Sequence, residues 1–314
     1  MKRPLLNLKK CLLLLALFLG SQVNAQSPTD ELMMPAKKAC AFVGYEFGSF
    51  DQYWEGTKLR ENQTIATVQR NTVNAMMAVG ILDRLNVYVG LPYISTNSTE
   101  PNGGHLAGTS GIQDLTLAAK FQFVKTNLFK GEFSAFATLG FSTPVSKYSS
   151  DYQPYSLGLH TPELNYRGIV SYKSSKDLYV RASGAYIWRG YTLTNREYYY
   201  NNGSYYTPWM DVPSAWSVDG AIGMFFFDEA LRAEINYTML RSTSGDDIRP
   251  YNAPQPTNMV NFDKVGAMVQ YHFPTIKGLA LMGAHTRIIN GRNIGKSNAF
   301  TFGVMYQFQY LKSK

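Results

Sequence analysis

Charge is scarce in this chain of 314 residues: Asp, Glu, Lys and Arg make up 17% of it. That is low for a soluble protein and leaves no basic block for nucleic acid. Cysteine is rarer, with only Cys11 and Cys40. One thiol beyond the leader excludes an internal disulfide framework, and Cys40 has no neighbouring residues at metal-ligand spacing. Histidine is limited to His105, His160, His272 and His285, so no metal centre or cofactor is expected. Beyond Gln26 there is no convincing helical periodicity and no apolar run long enough to cross a bilayer as a helix. Mean hydropathy is −0.20, a value that a strand of alternating polarity gives whichever solvent its apolar face meets.

The chain opens with "MKRPLLNLKKCLLLLALFLGSQVNAQ". Basic residues precede an apolar stretch from Cys11 to Leu19, and Val23-Asn24-Ala25 is a small-residue cleavage site. Residues 1–25 therefore read as a cleaved secretory signal peptide. Its loss takes four basic residues (Lys2, Arg3, Lys9, Lys10) from a net charge of +8 and leaves +4. Residues 26–40 read as a short periplasmic segment. It is too short for a plug domain, and is either a periplasmic tail or a small stopper, folded as one helical turn, in which Leu32, Met33 and Met34 would sit in the lumen.

What is abundant is period-two alternation. Twelve segments show it, at 41–54, 64–81, 85–94, 112–124, 132–143, 161–173, 178–191, 215–227, 231–242, 261–273, 279–289 and 297–311. Short connections alternate with mostly long ones, and both termini fall on the short side. An even strand count with that loop pattern predicts an all-β, antiparallel, up-and-down transmembrane barrel over 41–314. The turns would be periplasmic and the long loops extracellular, which places the protein in a Gram-negative outer membrane.

The faces agree. Strand 231–242 sends Leu231, Ala233, Ile235, Tyr237 and Met239 one way and Arg232, Glu234, Asn236 and Thr238 the other. A soluble sandwich would carry its charges outside. Here the apolar face is read as meeting outer-membrane lipid, with aromatic girdles at both ends (Tyr93, Phe141, Trp188 and Trp216; Phe123, Tyr172, Tyr271, Phe273, Phe308 and Tyr310). Asp51, Arg241 and Asp263 break the pattern near the long-loop rim. The closing aromatic strand resembles the C-terminal signal of outer-membrane barrels, which implies the barrel assembly machinery as a partner. Leu311–Lys314 extend past the usual terminal aromatic.

Twelve tilted strands enclose a cylinder about 24 Å across. Its predicted lining holds Glu46, Arg70, Asp114, Lys120, Glu163, Arg167, Arg181, Arg189, Asp219, Arg232, Glu234, Lys264, His285 and Arg287. These groups either form salt-bridge ladders that fill the barrel or line an eyelet favouring anionic or polar solutes. The loop "NREYYYNNGSYYTPW" offers tyrosines that either stack on a ligand or pack on each other. Catalysis is not expected. His160 is the histidine nearest the place where a barrel lipase needs one, and it lacks the His-x-Ser pair of the outer-membrane phospholipase A type. Two functions remain open: passive passage of a small solute, or a non-conducting barrel whose Tyr-rich loops bind a partner or surface.

Residues 80–145 carry a resemblance. "GILDRLNVYVGLPYIS" ends in Leu91-Pro92-Tyr93, "TSGIQDLTLAAKFQF" holds Ser110-Gly111-Ile112-Gln113-Asp114, and "EFSAFATLGFSTPVSKY" holds Ser142-Thr143-Pro144. The stretch resembles the outer-membrane family named for the meta-pathway of phenol degradation. Ile112-Gln113 departs from that family's second glycine region, and Pro144-Val145-Ser146 stands where Pro-Thr-Gly is expected. The resemblance implies a transporter-like barrel for small hydrophobic or aromatic compounds.

Overall fold

The computed structural model describes residues 27–101, 103, 105–249 and 254–311. The signal-peptide expectation for residues 1–25 lies outside them. The alternating segments form twelve strands: β1 (Lys38–Phe50), β2 (Val68–Leu82), β3 (Leu85–Ser98), β4 (Gly108–Ile112 and Asp114–Leu128, parted at Gln113), β5 (Gly131–Pro144), β6 (Glu163–Ser174), β7 (Leu178–Arg189), β8 (Ala215–Phe226), β9 (Leu231–Ser242), β10 (Asn261–His272), β11 (Leu279–Arg292) and β12 (Asn298–Gln309). Each pairs antiparallel with its neighbours in sequence. β1 also pairs with β12, from Lys38 opposite Gln309 to Ser49 opposite Asn298, which closes the sheet into a barrel. In hydrocarbon an open edge would strand a row of N–H and C=O groups at several kcal/mol each, and closure leaves none. Among the described residues no helix is long and apolar enough to cross a membrane.

Local chemistry sets the boundaries. β1 stops at Phe50, short of the predicted 54, because residues 52–61 fold back as a hairpin around Gly56, which has φ of +56°. The β4–β5 turn has only two residues, and Phe129 and Lys130 both adopt the left-handed φ that such a turn requires. Three register shifts adjust the wall, at Phe123 in β4, at Ile289 in β11 and at Ile81 in β2 beside the first turn. After the first, Lys125 shares a side with Glu132 and pairs with it at 3.1 Å.

Large apolar side chains stay uncovered on the outside: Phe302 is 67% exposed and Ile235 71%. Among the described residues no second layer packs over them, and this face meets lipid. Trp188 and Trp216 are exposed on the same face toward the long loops. Arg241 and Asp263 also face out near that rim. They pair at 2.6 Å, and Tyr237 and Asn290 donate to the Asp263 carboxylate.

Candidate functional site

Strand alternation carries Glu46, Arg70, Asp114, Lys120, Glu163, Arg167, Arg181, Arg189, Asp219, Arg232, Glu234 and Lys264 to the inner face. His285 and Arg287 are corrections. His285 lies opposite Phe300, with ring centroids 4.5 Å apart, and Arg287 lies opposite Asn298 and Val265, all on the outer side. The inward side of β11 is carried instead by Ala280, Met282, Ala284, Thr286 and Ile288, of which Ala280 and Met282 join the apolar cluster with Met34 and Met305. There the inner wall touches an apolar filling rather than water, so polarity no longer separates inside from outside. Arg287 sits opposite the first residue of β12, at the rim, where a lipid-facing cation costs about 0–1 kcal/mol.

The filling is the segment ahead of β1. Residues 27–37 run as turns and bends, without a helix, and touch inward side chains around the circumference. Lys120, on β4, is wholly buried. It donates to Asp30 Oδ1 at 2.9 Å, to the Ser27 carbonyl at 2.8 Å and to the Asp30 carbonyl at 3.3 Å. Its ammonium also lies 5.3 Å from the Tyr88 ring centroid. Thr138 on β5 donates to the Pro28 carbonyl at 3.0 Å. On the opposite wall Arg232 holds Glu31 at 2.9 Å and Glu234 at 2.8 Å, while Arg181 reaches Glu234 at 3.0 Å and Glu31 at 3.4 Å. Burial pushes the Glu31 carboxyl up against the opposing pull of Arg232 and Arg181. Met34 is wholly buried beside Cys40, Ala78, Tyr88 and Met305. Gly80 is where the segment leaves the barrel: a Cβ there would stand 2.1 Å from the Pro35 carbonyl oxygen.

Above this segment Arg167 pairs with Asp219, which also accepts from Ser183 and, at 2.9 Å, from Thr238. Nearer the mouth Arg189 pairs with Glu163 at 2.8 Å. The loop 145–162 folds over the mouth from one side. Tyr155 and Leu157 are buried, Thr96 donates to the Tyr155 carbonyl at 2.6 Å, and Arg70 donates to the carbonyls of Ser156 and Leu157 at 3.2 and 2.7 Å. Tyr148 donates to Asp114 at 2.5 Å; burial first and that bond second raise its phenol well above the ordinary range, so it stays a neutral donor. His160 is absorbed in the same loop, edge-on to Tyr148 with Nε2 3.3 Å from the Ser146 carbonyl.

This leaves cavities on both sides of the segment among the described residues. A vestibule of about 900 Å³ lies on the long-loop side, walled mainly by apolar residues such as Phe50, Ile65, Val68, Val212, Phe262 and Ile294. A second space of about 470 Å³ lies toward the short turns, bordered by Glu31, Leu32, Met33 and Pro35 of the segment and by Asp83, Lys125 and Glu229. The tyrosine-rich loop largely packs on itself: Tyr199 stacks on Tyr205 at 5.0 Å and Tyr198 meets Tyr206 at 5.1 Å. Met34 fills the lumen as the stopper reading expected, whereas the roles of Asp30 and Glu31 were not foreseen. The signal was present in "DELMM", two carboxylates followed by two methionines, ahead of a wall with surplus inward arginine.

The fold is similar to that of the COG4313 outer membrane channel from Pseudomonas putida F1, with 15% identity, a TM-score of 0.72, and coverage of 90% of this chain and 100% of that one. A looser likeness, to the transport unit of the autotransporter AIDA-I from Escherichia coli, has 10% identity and a TM-score of 0.47 over 96% of this chain and 97% of that one. No curated protein matches the sequence. A family model described as "Putative MetA-pathway of phenol degradation" matches residues 58–304, far beyond the stretch that carried the resemblance. This outer-membrane β-barrel therefore belongs to that family.

Proposed function

We propose that the barrel passes a small solute without energy input, and that residues 27–37 act as a stopper in its periplasmic half. The observation that supports this reading is the pair of cavities, about 900 Å³ and about 470 Å³, at opposite ends of one lumen with the segment between them. The apolar walls of the vestibule favour a hydrophobic or aromatic solute, since burying such a body yields roughly 25 cal/mol per Å². The stopper is held by ion pairs, a few hydrogen bonds and one methionine rather than by covalent or strand-ladder bonds, so it can leave and return. Planar-bilayer recording tests this directly. The intact chain should show brief or small openings, and a variant lacking residues 27–33 should show larger and more persistent ones. A tight seal from both proteins would refute passage.

The outer end of the β7–β8 loop favours a second reading, in which the barrel binds a partner or surface. Tyr206 is 85% exposed and Trp209 53%. Trimming 195–209 should abolish surface attachment under that reading and leave conductance unchanged.

A further inference from the structure

The vestibule's charges are not all balanced. Four charged side chains border it: Glu55, Arg70, Arg189 and Arg249. Glu55 pairs with Arg60 at 2.5 Å, Arg189 with Glu163 at 2.8 Å and Arg249 with Asp246 at 3.2 Å. Among the described residues Arg70 has no carboxylate within ion-pair distance. Glu46, diagonally across the β1–β2 pairing, instead accepts from Thr301 at 3.2 Å. Arg70 is nevertheless fixed. Two of its five N–H groups reach the carbonyls of Ser156 and Leu157, so the loop over the mouth sets the orientation of the guanidinium. An aimed cation with spare donors in an apolar chamber is the arrangement that recognises an apolar body carrying one anionic group. Apolar walls alone would discriminate by size and shape and would leave Arg70 with only the longer-range field of Glu46 and no carboxylate in contact.

We infer that the vestibule is a binding site for small aromatic or aliphatic carboxylates, with Arg70 taking the carboxylate and the apolar wall taking the hydrocarbon. This inference rests on the passage reading for its biological use, but binding can be measured without conductance. The probes are benzoate and benzamide, which share shape and differ in charge. They would be titrated calorimetrically into the full chain in lipid nanodiscs. Benzoate should bind at least about tenfold more tightly, the usual reward for a charge-assisted bond. Arg70→Gln should erase that preference and Arg70→Lys should retain part of it. In unaltered protein, benzoate but not benzamide should also slow phenylglyoxal modification of Arg70, read by mass spectrometry, which covers the case of a variant that does not fold. Equal binding of the two probes, or equal protection, overturns the anion inference and leaves the apolar vestibule standing. Binding of neither removes the vestibule as a solute site altogether. Binding with a preference in a barrel that never conducts would keep this inference and sink the passage reading.

Discussion

Lys120→Met tests the stopper most directly. The ammonium has three donors, and all three end on Ser27 and Asp30, so the substitution removes the whole β4 side of the attachment while conserving side-chain length. Breaking a buried ion pair costs 3–5 kcal/mol when the orphaned charge is trapped. Asp30 is not trapped, because its segment can swing into water, and the loss of docking free energy is then about 3 kcal/mol. That corresponds to roughly a 150-fold rise in the undocked population. Cys40 supplies a native reporter: its thiol is buried on the inner wall against Met34 and is uncovered when the segment leaves. A charged methanethiosulfonate should modify Cys40 slowly in the parent and about 150-fold faster in Lys120→Met. Heat-modifiable migration on gels would confirm an intact barrel. Equal labelling rates in two intact barrels would show that the Lys120–Asp30 contact does not hold the segment.

Gly80→Ala attacks the same segment by crowding, since its Cβ would meet the Pro35 carbonyl oxygen at 2.1 Å; faster Cys40 labelling is expected with the barrel still folded. Val304→Arg, on the lipid face, should cost roughly 2–4 kcal/mol of barrel stability in urea unfolding from vesicles, whereas Thr301→Arg, inside and next to Glu46, should cost far less. Equal costs would invert the assignment of faces. Replacing Arg181 and Arg189 together with Ser leaves Glu163 unpaired and Arg232 alone between Glu31 and Glu234. Reversal potentials across a salt gradient should then shift toward cation preference, and an unchanged potential would remove both arginines from the conducting path.

Strand number, the alternation of loop lengths and most side-chain directions were legible because the bilayer imposes one rule on every strand: apolar outward, backbone closed. The rule is readable in β7 and β9, where arginine and glutamate alternate with valine, leucine and isoleucine. It failed in β11. Ala280 and Met282 face a methionine from the leading segment, so both sides of that strand are apolar near the turns and His285 misled. The vestibule was not legible either. It exists because loop 145–162 folds inward and pins Arg70 through backbone carbonyls, and carbonyls leave no mark in sequence.

Residues 27–37 are synthesised before every wall they touch. Asp30 meets its lysine 90 positions later, and Glu31 meets Arg232 after 201. The segment is thus either encircled as β12 zips onto β1 or threaded upward after closure. In the second order a newborn barrel is briefly unobstructed, and its tightness is gained last, by residues made ahead of every strand.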